Sequence, residues 1–386
     1  VKKSFATDLR RVLAGVDADA IDRNDRVPPR VIAQLNRIGA FRLRVPRSKG
    51  GLGLTQTEYH RVVELIATKS AGLSMWVTTH NGLGARFLPS GADGLFAFAM
   101  TEEDAGTDPN MVRTTAKRMP GGYRLDGKKI WVTNGSVARW VAVIAKAPKG
   151  MTCFLVDTRS KGFAVERRCR FMGLRGMENA VLSFKGVIVP DTRRIGEEGE
   201  GLRIGLTAMN VGRLTIAPRA LGVARECLRI SRAWTSIRRQ QGRALSRNAS
   251  VAARLKRLEL LVSRLASVSA RTAAWADEGR DLRLESALAK LYSASAAYEA
   301  ADIALQLRGG RGYETSDSQR ARGEKSEPVE RLLRDARGLR MIEGTDDVLR
   351  GMLARRLREK SGRRGEPDAG DYARADAQVQ AFGAGR

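Results

Sequence analysis

Phe98-Ala-Met-Thr-Glu-Glu-Asp-Ala-Gly-Thr-Asp108 lies where the hydrophobic period of the chain changes. Before it, apolar residues recur three and four apart, as in Val31, Ile32, Leu35 and Ile38, then Val62, Val63, Leu65 and Ile66. That is the spacing of helices packed on one face, with a turn-rich stretch from Pro46 to Gly53 between the two runs. After it, Tyr123-Arg-Leu-Asp-Gly-Lys128 and Ala180-Val-Leu-Ser-Phe184 alternate apolar with polar, and Val141–Ala145 and Cys153–Val156 are short apolar runs. Asp-Gly and Pro-Gly-Gly turns separate them, as in a small antiparallel β domain.

From about residue 200 the helical period returns. Leu255, Leu258, Val262, Leu265 and Val268 keep it within 249–278, a stretch without Gly or Pro. Further helices near 199–239, 285–308 and 328–358 complete a four-helix bundle. The fold class read from these regimes is multidomain, with α and β parts in sequence. Residues 1–95 form an N-terminal helical domain, 96–195 a middle antiparallel β domain and 196–360 a C-terminal four-helix bundle. Residues 361–386 have no periodic core and are expected to be a disordered tail.

The chain has 386 residues, 42% of them hydrophobic, enough for two or three domains with real cores. Its longest apolar run, Trp140 to Ala145, is too short to cross a bilayer, and Asp8, Arg10 and Arg11 interrupt any leader-like stretch. A cytoplasmic protein without membrane association is expected. Cys153, Cys169 and Cys227 show no CxxC spacing, and His60 and His80 stand alone in helical stretches. These patterns argue against a disulfide framework, a metal site or a histidine-based triad. The net charge of +27 has two readings: an anionic partner such as nucleic acid, or basic residues scattered over solvated faces. No basic-aromatic stripe is visible, which favours the second.

A strand that ends in small and hydroxyl residues, as at Phe98–Thr107, can bring backbone N–H groups and a Thr hydroxyl against a polar planar ring. Trp131, in Trp131-Val-Thr-Asn-Gly135, could cover such a ring. Each piece alone is weak, since Thr-Glu near a turn is usually a cap and a strand Trp is usually core. Together, and in order, the motifs resemble the acyl-CoA dehydrogenase family over about residues 28 to 357. They are Gly50-Gly-Leu-Gly53, Thr101–Asp108, Gly127-Lys-Lys-Ile-Trp-Val-Thr-Asn-Gly135, Gly173-Leu-Arg-Gly176, Val189-Pro190, Gly199–Gly201 and Asn210-Val-Gly-Arg213. Arg238-Arg-Gln-Gln-Gly242, Gln306-Leu-Arg-Gly-Gly-Arg-Gly-Tyr313 and Glu343-Gly-Thr345 follow.

The resemblance implies the same three-part fold, bound FAD, an acyl-CoA substrate and an electron-transfer flavoprotein as the oxidant of the flavin. It makes Glu343 the base that removes the α-proton of the thioester. Phe98, Met100, Thr101, Trp131 and Thr133 match positions against the flavin ring, and Thr345 and Asp347 lie in its neighbourhood. Gly106 and Thr107 match positions near the flavin phosphate and the pantetheine. Asn210, Arg213 and Gly344 match the substrate side. Arg238 matches an arginine that reaches the FAD pyrophosphate of a neighbouring subunit, and Gln306, Gly309 and Gly310 the stretch that receives that neighbour's ADP half. A homodimer or homotetramer is therefore implied. The chemistry suits these residue types: glycines admit a phosphate, Arg binds it bidentately, and proton removal beside a thioester needs a positioned carboxylate. Read in isolation, Glu-Gly-Thr is a helix start with Thr345 as cap.

Some positions depart from the family pattern. Between Ala85 and Phe96 the chain is shorter by roughly one helix and loop. Gln241 stands where an aromatic usually follows the pyrophosphate arginine, and Asp347 replaces a longer acid or amide. A polar insertion, Ser316–Lys325, with Asn210 and Ile342, resembles the subgroup acting on longer acyl chains. The alternatives to an acyl-CoA dehydrogenase are a nucleic-acid-binding flavoprotein of the same fold, an enzyme acting on carrier-protein-bound acyl groups, or a paralogue without turnover.

Overall fold

The computed structural model describes residues 3–84, 88 and 93–385. The N-terminal helices are α1 (Lys3–Ala14), α2 (Ala18–Asn24), α3 (Pro29–Arg37), α4 (Gln56–Lys69) and α5 (Ala71–Thr79). Phe5, Leu9, Leu35, Val63, Ile66 and Trp76 are buried in their shared core. Helix α4 starts where Thr55 accepts the Glu58 N–H at 3.2 Å and the Glu58 carboxylate accepts the Thr55 N–H at 3.1 Å. Helix α5 is capped by Ser70, whose hydroxyl accepts the Leu73 N–H, and it is buried along nearly its whole length. The short segment expected between Ala85 and Phe96 lies mostly outside the described residues.

The two histidines have structural partners. His80 Nδ1 accepts the Phe96 N–H at 3.1 Å, tying the end of the helices to the first strand. His60 Nδ1 meets the Ser269 carbonyl at 3.1 Å. Burial pushes both rings down to about 4, so they are neutral at physiological pH.

Eight strands form one sheet: β1 (Phe96–Ala99), β2 (Thr115–Met119), β3 (Gly122–Val132), β4 (Trp140–Ala147), β5 (Gly150–Asp157), β6 (Phe163–Arg168), β7 (Ala180–Pro190) and β8 (Arg194–Ile195). The order is β6-β7-β3-β2-β4-β5-β8, with β1 on β4. The domain was expected to be antiparallel, but β1 runs parallel to β4 from Phe96↔Trp140 to Ala99↔Val143. A parallel pair needs a long crossover, and the chain between β1 and β4, including the β2–β3 hairpin, supplies it. Tyr123, Phe154 and Phe184 fill the sheet's core, the first two with ring centroids 4.8 Å apart.

The C-terminal helices are α6 (Gly201–Leu214), α7 (Ile216–Ile237), α8 (Ala249–Asp277), α9 (Arg283–Arg308), α10 (Gly310–Tyr313), α11 (Ser316–Ala321), α12 (Val329–Leu339), α13 (Asp346–Lys360) and α14 (Ala369–Gly383). Two expected helices are divided: 199–239 at Thr215, and 328–358 by Arg340–Thr345, where Glu343 and Gly344 take φ of +59° and +95°. The disordered tail expected over 361–386 is not found in its described residues, 361–385, because α14 packs Ala375, Val379 and Phe382 into the bundle core beside Tyr292 and Leu353. Buried Asp371 holds it there through ion pairs with Arg358, Arg363 and Arg374. So few apolar positions, anchored by Arg358 at the end of α13 and Arg363 just after it, leave almost no periodic signal in the sequence. Among the described residues no helix is long and apolar enough to cross a membrane.

Candidate active site

Glu343 stands on the loop between α12 and α13 in a left-handed backbone conformation, which costs a side-chain-bearing residue free energy and persists only where surrounding contacts enforce it. Three groups supply that enforcement. Lys290, fully buried on α9, donates from Nζ to the Gly344 carbonyl at 2.8 Å, the Arg340 carbonyl at 3.1 Å and Asp346 Oδ1 at 2.8 Å. Arg340 Nε donates to the other oxygen of Asp346 at 2.6 Å. Arg213 Nε donates to the Glu343 carbonyl at 3.1 Å, and its Nη1 to Asn210 Oδ1 at 2.8 Å. The loop is thus clamped at both ends and in the middle.

The carboxylate itself is seated on α6. A methyl group on Gly212 would stand 2.5 Å from the Glu343 carboxyl carbon and from both its oxygens, so only glycine leaves room for it. Burial pushes the Glu343 carboxyl above the usual range, and the positive charges of Arg213, Arg219 and Lys290 oppose that rise. Among the described residues the Glu343 N–H donates to no protein acceptor, so a carboxylate and a free donor occur on one residue.

A second group gathers at the end of β1. The Ile130 N–H donates to the Thr101 carbonyl at 2.9 Å, which brings Thr101 against the end of β3 and Trp131. Trp131 has a left-handed backbone (φ +54°) at a register shift, and the residue is 58% exposed although large and apolar. Thr133 accepts from Asn179 at 3.4 Å. Phe98 and Met100 point instead toward Gly205 of α6, where an added methyl would meet them at 3.7 and 3.1 Å. Beneath them buried Lys129 donates to the Met100 carbonyl at 3.0 Å and to Glu102 at 2.7 Å. Burial pushes Lys129 down to about 8, with Glu102 opposing. Gly106 and Thr107 are exposed beside this group.

A third group lies at the far ends of α7 and α9. Trp234 Nε1 donates to the Leu307 carbonyl at 3.1 Å, and the guanidiniums of Arg238, Arg308 and Arg311 lie 5.8, 4.8 and 5.5 Å from its ring centroid. Arg238 is thereby brought to the same surface as Gln306, Gly309 and Gly310, which are exposed, with open space above both glycines. Gln241 occupies a left-handed turn position between two short strands.

Of the remaining positions, Gly344 is held by Lys290, Thr345 precedes α13 without a side-chain cap hydrogen bond, and Asp347 is exposed and pairs with Arg350 at 3.5 Å. The insertion Ser316–Lys325 is built into the fold by Gln319, whose Nε2 donates to the carbonyls of Arg311 and Glu314. No motif marks Lys290, Trp234 or Arg219 in the sequence, and Gly212 and Asp346 stand in or beside motifs without a role of their own. Lys290 had a signal, a lone cation inside the apolar run Leu288-Ala-Lys-Leu291. The others become visible only as contacts.

Family models described as the N-terminal, middle and C-terminal domains of acyl-CoA dehydrogenase match residues 3–93, 97–187 and 199–358. The chain is 39% identical over 377 residues to "Probable acyl-CoA dehydrogenase FadE10" of Mycobacterium tuberculosis, with 92% of this chain covered but only 58% of that protein. The chain therefore spans little more than half the length of that relative. An acyl-CoA dehydrogenase of Bacillus subtilis is 30% identical over 375 residues, covering 92% of this chain and 96% of its own length. The solved butyryl-CoA dehydrogenase from Megasphaera elsdenii superposes with a TM-score of 0.82 at 26% identity, covering 90% of this chain and 95% of that one.

Proposed function

The chain belongs to the acyl-CoA dehydrogenase family, and from that premise we propose that it catalyses FAD-dependent α,β-dehydrogenation of an acyl-CoA thioester with Glu343 as the base. The observation that carries this reading is the Glu343 carboxylate, seated against Gly212 on a strained, clamped loop with its own N–H unpaired. A base held in one position and a donor beside it are what removal of a proton next to a carbonyl requires. Glu343 takes the α-proton, its N–H stabilises the charge growing on the thioester oxygen, and Arg213, Arg219 and Lys290 favour the ionised carboxylate beforehand.

Bound FAD would supply the hydride acceptor. The residues fit a flavin at the end of β1, where the exposed Trp131 indole stands beside Thr101 and Thr133. Arg238, with the open glycines 309 and 310, fits a phosphate-bearing group reaching this surface from a second copy, so a homodimer or a pair of dimers completes the site. An electron-transfer flavoprotein is the proposed acceptor of the electrons.

Anaerobic titration of the purified flavoprotein with a panel of acyl-CoAs, following bleaching of the flavin, tests the proposal. Bleaching by some thioester is expected; none across the panel would remove it. A nucleic-acid-binding flavoprotein is favoured by the charge of +27 alone. It would show as duplex binding that weakens steeply with salt, without bleaching.

A further inference from the structure

The fully buried cations of this protein are not treated alike. Lys129 carries Glu102 at 2.7 Å and Lys290 carries Asp346 at 2.8 Å. Arg219 on α7, the largest fully buried side chain, has no carboxylate in ion-pair contact among the described residues. Its Nε donates to Ser74 Oγ at 2.7 Å, and its Nη2 to Thr78 Oγ1 at 2.7 Å and more distantly to Thr215 Oγ1 at 3.5 Å. These acceptors are neutral hydroxyls. Buried charges are ordinarily paired, because hydrogen bonds to neutral groups offset only part of the loss of water. Burial accordingly pushes Arg219 down to about 10, and Glu343 acts on it only through space.

The position of this charge gives it a use. Gly212, Thr215 and Arg219 follow one another across the α6–α7 junction, where the Thr215 hydroxyl lies between the other two. The first seats the Glu343 carboxylate, and the second links the others, its hydroxyl donating to the Gly212 carbonyl at 2.7 Å. Ser74 and Thr78, four apart on α5, face the same guanidinium. The hydroxyl of buried Tyr59 on α4, within electrostatic reach of Arg219, has no hydrogen-bond partner among the described residues. A polar lane thus runs from the base to a cation that lacks an anion, beside an orphaned hydroxyl.

We propose that Arg219, with Ser74, Thr78, Thr215 and Tyr59, receives a carboxylate at the far end of the acyl chain, so that the preferred substrates are short dicarboxylic acids joined to CoA at one end. This rests on the acyl-CoA reading above and makes it more specific. It also replaces the longer, apolar acyl chains suggested by the sequence. A methyl-terminated chain would leave the buried guanidinium without a counter-ion. A carboxylate of suitable length would pair with it.

The test compares dicarboxylyl mono-CoA thioesters with straight-chain acyl-CoAs of equal length, by calorimetric binding to the FAD-loaded protein and by flavin bleaching. We expect the carboxylate series to bind at least about tenfold more tightly at its best length, as one charged pairing is worth about that or more. Arg219→Met should abolish the preference, and Arg219→Lys should keep part of it. FAD content and circular dichroism report whether the variants fold, and the wild-type comparison stands without them. Equal binding of both series overturns the proposal while leaving the acyl-CoA reading intact. Binding of neither overturns the proposal, and the acyl-CoA reading falls with it only if no other thioester bleaches the flavin. An Arg219→Met variant that moves the pH profile of bleaching equally for both series, with the preference unchanged, assigns the guanidinium to Glu343 alone and also overturns it.

Discussion

Gly212 on α6 and Glu343 on the α12–α13 loop occupy complementary space: the carboxylate fills the volume that any β-carbon at position 212 would need. Gly212→Ala therefore pushes the proposed base off its seat. Within a helix the change from Gly to Ala favours folding by about 1 kcal/mol, so the fold tolerates it. Displacing a base by about an ångström costs on the order of a hundredfold. We expect flavin reduction to slow by that order with melting temperature and FAD content retained. A wild-type rate in the alanine variant would show that the seat is irrelevant to the chemistry.

Glu343→Gln keeps the shape of the side chain but cannot take a proton. Loss of a positioned general base should slow flavin bleaching by about 10²–10⁴. FAD content, oligomeric state and thioester binding should persist, since none depends on the carboxylate. Stopped-flow measurement at saturating thioester decides the matter. Bleaching near the wild-type rate would assign the base to another carboxylate.

Lys290→Met removes the clamp on the Arg340 and Gly344 carbonyls and leaves Asp346 with Arg340 alone. Breaking a buried pair by deleting one partner costs about 3 kcal/mol or more. Adding Asp346→Asn should recover part of that loss without restoring turnover, because the Gly344 carbonyl still lacks its donor. Chemical denaturation and flavin reduction on the same samples separate the two effects. Full recovery of activity in the double variant would confine Lys290 to stability.

His60 and His80 make the protein sensitive to acid. Both have folded-state values of about 4, below the ordinary imidazole value of 6.5, because burial disfavours the charged ring. A depressed value means the unfolded chain binds the proton first. Their contribution is therefore complete above about pH 6.5 and is lost as pH falls toward 4, by up to about 3 kcal/mol for each ring. Protonating His80 would also end its acceptance of the Phe96 N–H. Melting temperature measured across that window should fall, and a His60→Gln, His80→Gln variant should show a flatter profile. An equally steep profile in the variant would place the acid sensitivity elsewhere.

Hydrophobic period outlined the helical regions, the sheet and most of the bundle, since burial of one face imposes a spacing of 3.6 or 2 on any chain that folds this way. Ordered motifs singled out Glu343, Trp131 and Arg238 as candidates, because the proposed base and phosphate contact demand particular residue types. The seat of the Glu343 carboxylate was not legible, for Gly212 and Glu343 are far apart in sequence and joined only by the crossing of α6 with the loop. Lys290 read as an irregularity in an apolar helix until its three acceptors stood around it. Helix α14 was hidden because charges, which have no period, hold it down. Whether a buried arginine is paired depends on which side chains meet it, and that was decided only when α4, α5 and α7 packed together around Arg219.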